Sequence, residues 1–140
     1  IKKDKNFVIG EKTAELLKKS IGSAYVTDET LDICGRNLVT GLPSEITVTS
    51  EDIYNALIEL FQSIVDSVKI ILERTPPEIS SDIYKSGLYL TGGSSRIQDL
   101  GRFIYEELGL KVNLCEEPES TVIMGLGAVI EDPQLAKLAL

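Results

Sequence analysis

The residues best suited to chemistry lie in Leu90-Thr91-Gly92-Gly93-Ser94-Ser95-Arg96. Glycines between a strand and a helix let the backbone approach a ligand closely. A helix start there would offer free N–H groups and a positive dipole end, which suits phosphate or ribose oxygens. Ser94 and Ser95 add hydroxyls, and Arg96 brings a planar guanidinium able to stack on a base. The same residues also suit a plain strand-to-helix turn with a serine N-cap, and pattern alone does not separate the two readings. The stretch is neither a Walker A loop nor a GxGxxG fingerprint. A second pair, Glu15 and Lys18, sits at i and i+3 on one helical face and could grip a ribose hydroxyl and a base or phosphate edge. The plainer reading of that pair is a surface ion pair worth less than ~1 kcal/mol.

Other chemistries are excluded by composition. The chain has 140 residues, 14 Lys plus Arg against 22 Asp plus Glu, and a net charge of -8, which argues against nucleic-acid binding and a polybasic membrane anchor. With no His there is no imidazole metal site and no His-based triad. Cys34 and Cys115 are far apart, so neither a zinc spacing nor a disulfide framework arises, and both read as small apolar residues in a reducing compartment. Asp28, Glu29, Glu51 and Asp52 read as turn and cap residues rather than a general acid/base pair. The chain begins Ile1-Lys2-Lys3-Asp4-Lys5, which reads as a segment of a longer protein.

The elements that must position these residues follow from periodicity. Ala14, Leu17 and Ile21 recur at helical spacing, predicting a helix over Glu11 to Ile21 closed by Gly22. Residues 29–34 and 44–49 alternate as half-buried strands. A long helix starts at Ser50 and runs to about Arg74; Ile53, Leu57, Leu60, Phe61, Ile64, Val65, Val68, Ile71 and Leu72 form one wide stripe, read as core. Thr75-Pro76-Pro77 ends it and opens a helix from Glu78 to Ser86. Residues 87–91, a helix from Ser94 to Leu108, and residues 111–115 form a βαβ unit with parallel strands. Ser120 to Glu131 reads as a helix whose Gly125 and Gly127 predict close helix packing, followed by a short helix from Gln134 to Leu140.

Five stretches occur in an order that carries a resemblance: residues 9–15 (IGEKTAE), 21–25 (IGSAY), 35–43 (GRNLVTGLP), 75–78 (TPPE) and 90–93 (LTGG). Together they resemble the C-terminal part of the MreB/Mbl family, the bacterial actin-like rod-shape-determining proteins. The resemblance covers nearly the whole chain. It implies an α/β fold of the actin-like, ribonuclease H-like ATPase class. Residues 1–49 would be a small β-rich outer subdomain, 50–117 the later half of an inner nucleotide-facing subdomain, and 118–140 helices returning toward a first domain. By the resemblance, Glu15 and Lys18 lie over the nucleoside, and Gly92 and Gly93, extended to Ser94 and Ser95, run along ribose and phosphates. The family continues the turn with a third Gly and Ala. Here Ser94-Ser95-Arg96 is instead similar to heat-shock chaperone ATPases, which implies an adenine-packing role for Arg96.

The resemblance also implies ATP or ADP with Mg²⁺ as cofactor, filament protomers and cell-elongation membrane proteins as partners, and a cytoplasmic site under the membrane. The family's Asp-Gly phosphate loops, its water-positioning acid and its membrane-binding elements are not in this sequence. The chain alone is therefore expected to bind nucleotide weakly or not at all and to be inactive, since phosphoryl chemistry rests on positioning and electrostatics. A chaperone-like ATPase of the same superfamily and a filament scaffold without turnover are the rival readings. An exposed sheet edge predicts dimerisation or strand exchange.

Overall fold

The computed structural model describes residues 1–137. Three antiparallel strands, β1 (Phe7–Val8), β2 (Thr30–Asn37) and β3 (Pro43–Thr49), form a sheet in the order β1-β2-β3. Two longer strands were legible from alternation; β1 is too short for a pattern and is held by pairing Phe7 with Asn37 and Val8 with Arg36. Helix α1 (Glu11–Ile21) lays Leu17 and Ile21 on this sheet, against Ile33, Val48 and the first turn of the next helix.

Helix α2 (Ser50–Glu73) joins that core to a second one. Ile53 packs with the sheet, Leu57 touches both cores, and Phe61 and Val65 pack against Ala24, Leu100, Phe103 and Ile104. Its N-cap is Thr49. Thr49 Oγ1 accepts from the Asp52 amide (3.2 Å) and Asp52 Oδ2 accepts from the Thr49 amide (2.9 Å), a capping box. The apolar stripe is core only in part: Leu60, Ile64 and Ile71 are exposed, because no described element covers that flank of it.

Helix α3 (Pro77–Ser86) leads into β4 (Leu88–Leu90), which pairs in parallel with β5 (Val112–Leu114) as the βαβ reading requires. Their crossover departs from the expected continuous helix. A single 3₁₀ turn spans Gly93–Arg96, Ile97 is extended, Asp99 is left-handed at φ 57, and α4 starts only at Leu100 (Leu100–Leu108). The reason is tertiary: Gln98 leaves the helical path to bridge Ser23, and its carbonyl accepts the Ala24 amide at 2.9 Å. Helix α5 (Thr121–Glu131) and the short α6 (Pro133–Ala136) end the described chain; residues 138–140 of the expected last helix lie outside the described residues. Nothing lies within 4 Å of a side chain built on Gly125 or Gly127, so the expected close packing there does not occur among the described residues.

Tyr25 fastens the segment that follows α1 to α4. Its ring meets Phe103 edge-on at 6.3 Å, Arg102 stacks over it at 4.8 Å, and its hydroxyl donates to Glu106, which also holds Arg102 Nε at 2.9 Å. Burial first, then the bond to Glu106, pushes the phenol up to about 12. The folded chain thus holds this proton more tightly than the unfolded chain. The resulting stability is full below the ordinary value of 10.0 and is lost as pH rises through about 12. Chemical denaturation is expected to show this alkaline loss and Tyr25→Phe to abolish it; an unchanged pH slope in the variant would refute the role. Thr49→Ala is expected to lower stability by about 1 kcal/mol in the same assay, because Asp52 loses its reciprocal partner.

Candidate functional site

The elements bring α1 and the glycine turn face to face. The last two turns of α1 carry Glu15, Lys18, Lys19 and Ser20 along one wall of a cleft of about 780 Å³. Gly93, Ser94, Arg96, Ile97 and Gln98 form the opposite wall. Gly22 and Glu119 complete the lining. The Ser23–Gln98 bridge sits directly beyond Gly22 and Ile97, so it fixes the separation of the walls.

Of the seven sequence-derived site residues, five line this cleft: Glu15, Lys18, Gly93, Ser94 and Arg96. Gly92 and Ser95 do not. Gly92 is held at φ 85, and its amide donates to the Pro118 carbonyl at 2.7 Å, so that amide is already satisfied. Ser95 is buried and spends its hydroxyl on the Gly92 carbonyl at 2.7 Å. Both residues shape the turn rather than face the cleft. With only a 3₁₀ turn at Gly93–Arg96, the multi-turn dipole expected at this wall is not there.

The charges are arranged differently from the sequence reading. Glu15 pairs with Lys19 at 2.7 Å, one residue beyond Lys18. A Glu followed four residues later by Lys is the favoured helical pair, and that spacing was the available signal. The bond to Lys19 holds the Glu15 carboxyl below its ordinary range and raises Lys19 in turn, with a smaller push on Lys19 from Glu119. Among the described residues Lys18 has no ion-pair partner. Arg96 Nε lies 3.6 Å from Glu119 Oε1. Sequence reasoning missed Glu119, because only the fold brings it beside Arg96.

Gly22 forms the floor of the cleft beside Lys18. A Cβ there would lie 2.1 Å from the Lys18 carbonyl oxygen, so only glycine lets α1 end this tightly. The space, the glycine floor and the surplus of cations on the lining (Lys18, Lys19 and Arg96 against Glu15 and Glu119) suit a ligand with an apolar or planar part and an anionic part. Among the described residues no group of three or more His, Cys, Asp or Glu side chains comes together to hold a metal.

Comparison with known proteins identifies the family. Residues 1–138 match the family model described as MreB/Mbl protein. The cell shape-determining protein MreB of Escherichia coli K12 is 41% identical over 133 residues, covering 94% of this chain and 38% of that protein. The cell shape-determining protein Mbl of Bacillus cereus is 42% identical over 143 residues, covering all of this chain and 43% of that protein. The structure of MreB5 of Spiroplasma citri bound to ADP superimposes with a TM-score of 0.88 at 36% identity, over 92% of this chain and 40% of that one. The chain thus spans about two-fifths of the length of the relatives it matches. Its fold is of the actin-like class, and the chain belongs to the MreB/Mbl family.

Proposed function

We propose that this chain supplies the nucleoside side of the ATP cleft of an actin-like cytoskeletal protein that assembles into filaments under the membrane and sets rod cell shape by organising cell-wall synthesis. The observation that carries the reading is the placement of Glu15 and Lys18 across one cleft from Gly93, Ser94 and Arg96. The likeness to an MreB5 that was crystallised with ADP supports it.

In this reading Glu15 accepts from ribose hydroxyls, and the unpaired Lys18 holds a base or phosphate edge. The turn of Gly93 and Ser94 runs along the ribose and phosphates, backed by Gly92 and Ser95 from behind. Arg96 closes the base side. Mg²⁺ would ride on the phosphates and on acids supplied by the rest of the full natural chain, and hydrolysis would belong to that whole assembly. The boundaries 1–49, 50–117 and 118–140 serve as the outer subdomain, the nucleotide-facing subdomain and the return helices. Filament neighbours are further copies, joined by membrane proteins of cell elongation; no helix of the described residues is long and apolar enough to cross a membrane.

Calorimetric titration of ADP into the full natural chain tests the cleft. Lys18→Ala and Glu15→Ala are each expected to weaken binding by roughly 5- to 10-fold, the worth of one polar contact. Unchanged affinity in both would overturn the assignment. Gly22→Ala is expected to weaken ADP binding and to lower thermal stability together, because the added methyl must push the Lys18 carbonyl aside. Loss of neither would show that the floor can relax.

A further inference from the structure

Glu119 stands at the mouth of the cleft without a role so far. Its side chain is exposed, but the backbone that carries it is anchored. The preceding Pro118 is buried, and its carbonyl accepts two bonds from the glycine turn: the Gly92 amide at 2.7 Å and the Thr91 hydroxyl at 2.8 Å. The Ser120 amide closes back on the Glu117 carbonyl at 3.0 Å. The backbone on either side of Glu119 is therefore fixed against the turn that forms one cleft wall.

From that anchor the Glu119 carboxylate reaches over Gly93. A methyl placed on Gly93 would lie 3.5 Å from Glu119 Oε1 and 3.6 Å from its Cγ. The same oxygen is the one beside Arg96 Nε. The cleft thus carries its own anion, held where the wall is open and where a cation already stands. Lys19 is likewise answered by Glu15. Three cations face two carboxylates, so the lining carries one positive charge in excess.

We propose that Glu119 is a specificity-determining residue of this cleft, an internal carboxylate that occupies the Gly93–Arg96 wall in place of a ligand anion and must be displaced by phosphate-bearing ligands. The inference rests on the reading of the cleft as a nucleotide site. Its physical content is a difference between ligands. A phosphate entering near Gly93 meets the like charge of the Glu119 carboxylate. An uncharged nucleoside does not meet that charge. Because both side chains are exposed, the penalty is modest and depends on salt.

The experiment is calorimetric titration of ADP and of adenosine into the full natural chain, as wild type, Glu119→Gln and Lys18→Ala, at low and high salt. Glu119→Gln keeps the shape and removes the charge, and the side chain is exposed, so the fold is not at stake; circular dichroism of the variant checks this. The expected result is ADP bound about 3- to 5-fold more tightly by Glu119→Gln at low salt, adenosine bound equally by both, and the gain shrinking at high salt. Equal or weaker ADP binding by Glu119→Gln, with Lys18→Ala weakening ADP, overturns this inference and leaves the cleft assignment standing. A tightening of adenosine as large as that of ADP also overturns it, since the effect would then not be charge. ADP binding that neither variant changes, or no binding at all, overturns the inference and the cleft assignment together.

Discussion

The arrangement of the cleft depends on one short contact, the pairing of Ser23 with Gln98. Residues 22–25 leave α1, and residues 97–99 leave the glycine turn, and the two extended stretches meet through the Ala24 amide and the Gln98 carbonyl. The contact satisfies backbone groups that would otherwise be buried unpaired, since Ser23 and Ala24 are fully enclosed. It also has a conformational cost, taken up at Asp99, which adopts a left-handed backbone so that α4 can restart in a new direction. Tyr25 secures the same junction with an aromatic edge contact, a cation above the ring and a carboxylate at its hydroxyl. Without this junction Glu15 and Lys18 would have no fixed distance to Gly93.

Helix α2 supplies the second constraint. Among the described elements it alone serves both cores, with Ile53 in one and Phe61 and Val65 in the other. The uncovered flank of its stripe, with Leu60, Ile64 and Ile71, and nearly all of α5, with Val122, Ile123, Met124 and Leu126, face outward. Monomeric proteins seldom leave apolar surface of this extent open.

Much of this was legible from the sequence, for physical reasons that can be located. The parallel strands around Tyr89 and Asn113 follow from a strand–helix–strand order with short connections, and the end of α2 follows from Pro76 and Pro77. The strand at Phe7–Val8 is set by its neighbour in the sheet and leaves no local period. The break at Asp99 is a response to Ser23, 76 positions away, and local propensity alone favours a continuous helix there. The stripe on α2 announces an apolar face truthfully but not whether anything covers it. In the cleft, Glu15, Lys18 and the glycine turn could be picked out by type and spacing. Glu119 could not, because a lone acid in a loop has no pattern until Pro118 pins it beside Arg96.

The two bonds at the Pro118 carbonyl also tie two separate parts of the chain together. They are the point at which the segment entering α5 is tied to the wall of the cleft, through Thr91 and Gly92. α5 itself makes its main contacts with α6 and is otherwise loosely held. The Pro118 carbonyl oxygen is thus a single atom shared by the approach to α5 and the backbone of the glycine turn, so the place of Glu119 beside Arg96 is set by the same two bonds that hold Thr91 and Gly92.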